Sequence, residues 1–350
     1  MVLRRFLQSI FSAASGPSGK NDDATIRAAI ERVVDGTDPR LRAVRRYQHK
    51  LRGAVECAID HAVTLIDQLP PAIDASHRSF VASPQLRAAF ASPDRLRETL
   101  SFSKHTRNYQ QQSAGPLPAE LYAVLGMERV EKTVLGVELH GDLVRRDVPQ
   151  TTVSFCNQRL ACLTDSEQAT RRELIQRAFD SLIEVALDNL TTIRAHRRQL
   201  EQRHRELLQQ KASALRSARL GLDSLLESTG PNLADAGNLE RQLWDLEAEL
   251  GKVRAGSATL DHLLARIIVT LSKPDKHLRL EPVALTLDHM NIKVSPGSSR
   301  PGNALSFNEA LLGKDRRLTV LLVRFPSSEL LAPPDFFQEA QRLLTPRLLT

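Results

Sequence analysis

From Thr164 to Leu226 no proline interrupts the chain, and the first glycine is Gly221. Thr164-Asp165-Ser166-Glu167 opens this stretch as a capping box, with Thr164 at the N-cap and Glu167 three residues on. One helix over the whole stretch would run about 90 Å at about 1.5 Å per residue. Its first third carries Leu174, Phe179, Leu182, Ile183, Ala186, Leu190 and Ile193, an apolar face that calls for burial. Further on, one seven-residue series stays apolar (Ile193, Leu200, Leu207, Ala214), while its companion is Arg197, His204 and Lys211. A stripe that thin suits a projecting helix with one neighbour.

The neighbour is expected next in sequence. Thr229-Gly230-Pro231-Asn232 stops the helix, and Leu239, Leu243, Leu246, Leu250 and Val253 follow in alternating steps of four and three. That is a coiled-coil seam about two heptads long, predicted to fold back as an αα-hairpin. A third helix over 258–271 completes the segment.

Shorter helices are predicted before it. Ile26, Ile30, Val33 and Val34 mark one, stopped near Gly36 and Pro39. A longer one runs from about Arg40 to Leu69 and ends at Pro70-Pro71. Ser83-Pro84 and Ser92-Pro93 each place a capping serine before a proline whose missing N–H costs the first turn nothing.

Strand patterns occupy two patches. Over 134–163, Val137 and Leu139 alternate with Glu138 and His140, and Val153 and Phe155 with Ser154 and Cys156. Gly141-Asp142 and Asn157-Gln158 supply turns for a small antiparallel meander. In the second patch, Val283, Leu285 and Leu287 alternate, then Met290, Ile292 and Val294. Ser306-Phe307-Asn308-Glu309 reads as the capping box of a short helix that stops at Gly313, and Leu318–Phe325 as a strand in mid-sheet. A last helix carries Phe336, Phe337, Leu343 and Leu344.

This order favours α+β, predominantly helical, over α/β. Small antiparallel β patches lie around 134–163 and 278–325, with a long helical hairpin between them. The expected divisions are an amphipathic N-terminal helix over 1–14, a flexible linker over 15–22, a helical region over 23–133, the β meander over 134–163, the long helix and hairpin over 164–272, and a β-rich C-terminal region with a terminal helix over 273–350. One shared sheet and two separate domains both fit the pattern.

Charge points to the same long helix. The chain carries a formal +7. Across 191–220 stand Arg194, Arg197, Arg198, Arg203, Arg205, Lys211, Arg216 and Arg219 against Glu201 and Glu206, a local excess of +6. Arginine forks suit carboxylate or phosphate groups. The simplest reading pairs this face with the acids of the following helix, Glu240, Asp245, Glu247 and Glu249. The sharper readings offer Arg194, Arg197, Arg198, Arg203, Arg205 and Lys211 to a partner. A phosphate polymer would bind with a steep salt dependence, although no base-stacking aromatics are interleaved.

The N-terminal segment places Leu3, Phe6, Leu7, Ile10 and Phe11 on one helical face, with Arg4 and Arg5 off it. It fits an anionic membrane surface, a groove in a partner protein, or a targeting presequence. It lacks the clean apolar core of a secretory signal. The three cysteines, Cys57, Cys156 and Cys162, form neither a disulfide framework nor a zinc spacing. With no stretch approaching a membrane span, the expected location is cytoplasmic, peripheral at a membrane if the first helix binds one.

Catalytic signatures are weak. Gly16-Pro17-Ser18-Gly19-Lys20-Asn21 holds the Gly-Lys pair of a phosphate loop, but Ala14 and Asn21 stand where glycine and Ser/Thr are needed. His140-Gly141-Asp142 reads as a solvated turn, and His61 as a rim residue on a helix. No catalytic, cofactor or metal residue is assigned. The sequence therefore leads to a non-enzymatic interaction or adaptor protein that presents its basic hairpin to a protein partner, with nucleic-acid binding through 194–219 as the alternative and an unrecognised enzyme third. Oligomeric state is not legible.

Overall fold

The computed structural model describes residues 20–113, 115–140, 143–220, 233–257, 259–294, 301–313 and 316–332. The N-terminal helix with Leu3, Phe6, Leu7, Ile10 and Phe11, and the C-terminal helix expected after Pro334, fall outside these residues. The fold is α+β. The chain divides into two compact units: residues 1–58 with 180–274, and 59–179 with 275–350.

The first unit is helical. Helix α1 spans Lys20–Thr37, starting inside the stretch expected as linker. A 3-10 turn follows at Pro39–Ala43, and α2 spans Tyr47–Asp67, its first half in this unit. The single helix expected from Arg40 is therefore broken, at Arg46 with its φ of 58°. Helix α6, Glu167–Leu220, is continuous for 54 residues, and this unit holds it from Asp180. Helices α7, Leu233–Ser257, and α8, Leu260–Leu271, complete the unit.

Helix α1 ends where the sequence predicts, one residue past Gly36. Gly36 lies where a Cβ would come within 2.7 Å of Ile183 Cγ2, so α1 and α6 meet closely at this position. Arg32 adds a two-pronged bond to Asp180, both contacts at 2.5 Å. Asp38 caps the 3-10 turn by accepting from Arg40 N–H, and Arg194 Nη2 reaches the same carboxylate at 2.5 Å. The Arg40 guanidinium holds the Asp38 carboxyl far below the ordinary range against the opposing effect of burial, and Arg194 adds to it.

The second unit is built on one six-stranded sheet. Strand β1 is Ile73–Asp74. Three short helices follow: α3, Pro84–Ala89; α4, Pro93–Phe102; and α5, Lys104–Gln112. Ser83, Ser92 and Ser103 cap them, each accepting an N–H of the first turn. Strands β2, Glu120–His140, and β3, Leu143–Thr164, form one long hairpin. Strands β4, Leu278–Leu287, β5, Asn303–Leu312, and β6, Arg316–Pro326, complete the order β3-β2-β6-β5-β4, with β1 parallel to the end of β6.

The two β patches thus share one sheet, and several sequence expectations change. Strand β2 begins at Glu120, inside the stretch expected to be helical. The first patch is a two-stranded hairpin rather than a meander: Asn157, expected to turn the chain, takes φ of 54° at a bulge and β3 continues through it. An extra residue accommodated by an asparagine in the left-handed region bends a strand without ending it. Thr164 ends β3, and Ser166 instead of Thr164 accepts from Ala169 N–H at the start of α6. Glu167 takes a structural role, bonding Arg171, whose guanidinium also caps the carbonyls of Ile66, Leu69 and Pro70 at the end of α2.

The second expected capping box, Ser306–Glu309, is strand. Leu305, Phe307 and Glu309 alternate inward along β5, and Glu309 meets Arg129, Nε to Oε1 at 2.5 Å, instead of a helix terminus. Local capping chemistry loses here to period-two burial.

Met290, Ile292 and Val294 do not form a full strand either. The segment bonds β3 through Val153 N–H to Asn291 O and Lys293 N–H to Thr151 O. It bonds β4 through Val294 N–H to Thr286 O. The segment thereby bridges the two edge strands and covers each of them locally against further pairing. The core holds Leu121, Leu125, Met127, Val153, Phe155, Leu285, Phe307, Leu321, Val323 and Phe325, together with Leu86 of α3, Phe90 at its C-cap, and Leu96 and Leu100 of α4. Phe155 and Phe307 stack at 4.9 Å. Strand β6 is buried on both faces, since Val320 and Leu322 are covered as well, in keeping with the mid-sheet place read from its apolar run.

The Asp38 carboxylate gives a pH-dependent expectation. Asp38→Asn should destabilise the protein by about 2 kcal/mol at neutral pH, the scale of a lost charged hydrogen bond in a buried site. Because the folded-state pKa is depressed, this contribution is complete above the unfolded carboxylate range and falls away as pH drops below it. Denaturant titrations of both proteins should show the gap narrowing on acidification. A gap that stays constant with pH would contradict this account.

A candidate interaction surface on the helix pair

Helices α6 and α7 lie antiparallel along a narrow apolar seam. Leu200 and Leu207 from α6 pack with Leu243, Leu246 and Leu250 from α7, and Leu239 is partly buried against them. The spacing four, three, four along α7 keeps these leucines on one face. A lone helix has little else to hold it in water, so α7 depends on this contact.

Paired polar side chains border the seam on one side. His204 Nε2 lies 3.1 Å from Glu247 Oε1, and Lys211 Nζ bonds Glu240 Oε1 at 2.8 Å. On the other side His196 approaches Glu249 at 3.6 Å. These contacts fix the antiparallel register. Exposed pairs of this kind contribute little to stability, so they select alignment while the leucines hold the helices together.

The same two pairs frame an exposed apolar spot. Leu208 stands four residues after His204 and three before Lys211, on their stripe of α6. Trp244 stands four after Glu240 and three before Glu247, on their stripe of α7. The two pairs tie these stripes together at both ends, which puts Leu208 and Trp244 on the same side of the helix pair, between the charges. Leu208 is 44% exposed and Trp244 75%. Trp244 is the chain's one tryptophan.

The predicted basic residues divide into two groups. Arg194 is tied to Asp38, Arg197 bonds Glu201 Oε1 at 2.9 Å, and Lys211 is paired with Glu240. The remaining three, Arg198, Arg203 and Arg205, are exposed and have no carboxylate partner among the described residues. Arg205 Nε reaches only the Glu201 carbonyl, at 3.3 Å. Arg205 is three residues before Leu208. Arg241, also exposed and without a carboxylate partner among the described residues, is three before Trp244. Both arginines therefore flank the apolar spot, on the outer side of their own helix.

The sequence pattern found the seam and the basic helix but missed Leu208, Trp244 and Arg241. Their signal was present. The stripe 240/244/247 has the same four-then-three step as the seam one residue away, and a tryptophan on it cannot also face the leucines.

Other candidate chemistry is structural or sparse. His61 Nε2 contacts the Leu278 carbonyl at 2.8 Å, tethering α2 to β4 within the second unit. The Cys162 thiol is pushed up to about 12 by burial, which leaves it without thiolate reactivity. A cleft of about 410 Å³ at the end of β6 is lined by Asp74, Ser76, Arg78, Glu120, Arg324 and Glu329, among others, and contains no histidine, cysteine or lysine. Among the described residues, no three histidine, cysteine or acidic side chains converge as metal ligands, and no helix is long and apolar enough to cross a membrane. His140 has its side chain outside the described residues. Compared with protein-family models, curated proteins and solved structures, the chain matches none.

The seam and the exposed spot should respond differently to truncation. Leu243→Ala should cost about 3 kcal/mol, as expected for a buried leucine, and speed amide exchange along α7. Trp244→Ala should change stability by no more than about 0.5 kcal/mol. Equal losses from both variants would mean that the tryptophan is part of the packing.

Proposed function

We propose that this chain is a non-enzymatic interaction protein, an adaptor that presents the α6–α7 helical hairpin to a protein partner. The observation that carries the reading is the exposed Leu208–Trp244 pair. A tryptophan beside arginines is the composition of interface hot spots, and its exposure cannot be attributed to the hairpin's own packing, which the leucine seam supplies. Both residues stand on helices that the leucine seam already holds together, so the backbone that presents them is ordered before binding.

The adaptor reading gives the N-terminal segment a second role. Leu3, Phe6, Leu7, Ile10 and Phe11 would form a tethered contact with a partner groove or an anionic membrane surface. The protein would then be cytoplasmic and peripheral at that membrane. One amphipathic helix binds lipid weakly, so the hairpin supplies the main contact.

Nucleic-acid binding is the second reading, favoured by Arg198, Arg203 and Arg205, which have no carboxylate partner among the described residues. The two separate by affinity capture from the native cells with nuclease treatment in parallel. The adaptor reading expects a protein partner that survives nuclease and is lost from Trp244→Ala. Nucleic acid recovered alone, released by high salt and lost on charge reversal of Arg198, Arg203 and Arg205, would replace it.

A further inference from the structure

We infer that the Leu208–Trp244 spot is a seat for an acidic amphipathic helix. This rests on the hairpin being the interaction surface and adds the chemistry of what it binds. The spot is apolar and lies on the side of the α6–α7 pair marked by the His204–Glu247 and Lys211–Glu240 contacts. A face of this kind accepts a helix through apolar side chains spaced i, i+3, i+4 and i+7. Leu208 and Trp244 supply its apolar surface, at 44% and 75% exposure.

Charge decides between possible occupants. The carboxylates nearest the spot, Glu240 and Glu247, are already engaged with Lys211 and His204. Arg205 and Arg241, on the two flanks, have no carboxylate partner among the described residues. A helix lying on this face would run beside Arg205 on α6 and Arg241 on α7, so acidic residues flanking its apolar face would be matched and basic ones repelled. A second copy of the chain is disfavoured by the same logic. Two copies meeting across this surface would set Arg205 and Arg241 against themselves. A phosphate backbone could also engage the arginines, but it offers nothing to the leucine and would leave most of the indole in water.

The test uses the full chain, with the emission of Trp244 as its own reporter. Two synthetic peptides of about four helical turns share one leucine face; one carries glutamates on its flanks, the other lysines. A single-stranded oligonucleotide is the third probe. The acidic peptide is expected to shift Trp244 emission to the blue and to bind more weakly as salt rises. Trp244→Ala, followed through a labelled peptide, should weaken binding about thirtyfold, the scale of a hot-spot residue. Leu208→Ala should weaken it less. Arg205→Glu with Arg241→Glu should reverse the preference towards the lysine peptide. All of these positions are exposed, and circular dichroism of each variant should match the wild type.

Equal binding of both peptides, or binding of neither, overturns the inference, as does a stronger emission shift with the oligonucleotide. If neither peptide binds but Trp244→Ala abolishes capture of a native protein partner, the hairpin remains the interaction surface and only the acidic-helix inference is lost. If capture is also indifferent to Trp244, both are lost.

Discussion

The leucine seam between α6 and α7 decides what the long helix can present. Beyond Ile193, α6 has only one narrow apolar stripe, and α7 is its matching partner. Packing Leu200 and Leu207 against Leu243, Leu246 and Leu250 uses that stripe up. Everything else on the two helices must then face water or another molecule. Charged residues meet this condition without cost, and a leucine and a tryptophan do not. The exposed Leu208 and Trp244 are conspicuous because the seam is complete without them.

The second unit solves a different problem. A six-stranded, mostly antiparallel sheet with a long hairpin has two edges to protect, and the short segment around Asn291–Val294 bonds both. The interior then forms one apolar core, with the Phe155–Phe307 stack within it. The carboxylate of Glu309 breaks that pattern at the inner face of β5 and is tolerated because Arg129 meets it with two donors. Among its described residues, this unit offers no arrangement of groups as suggestive of recognition as the hairpin. Its cleft at the end of β6 mixes acids and arginines that offset one another.

Much of this was legible in the sequence where periodicity extended over many residues. The α+β class, the long helix, the leucine seam and the central place of β6 all follow from spacing. Failures occurred where a local signal competed with a distant partner. Ser306–Glu309 has the letters of a capping box, yet Glu309 is held by Arg129 from a strand far away in sequence. Asn157-Gln158 has turn chemistry, yet it sits in a bulge. The stretch from Glu120 to Met127 pairs with β6, a partner some two hundred residues later, which no local window contains. At the candidate site, the basic residues were visible but their bookkeeping was not. Only the fold shows that Arg194 serves Asp38 and Lys211 serves Glu240, leaving Arg205 and Arg241 beside the apolar spot.

Solute quenching of Trp244 tests the central claim most directly, because the chain's one tryptophan is the residue on which the claim turns. The account predicts the emission of a water-exposed indole, quenched freely by acrylamide. Iodide should quench it more strongly than caesium, since Arg241 stands one turn from Trp244 on the same helix and attracts the anion. A protected, blue-shifted emission in the free protein, or quenching that favours caesium, would contradict the account: the first would place Trp244 inside the packing, and the second would remove the cationic neighbour.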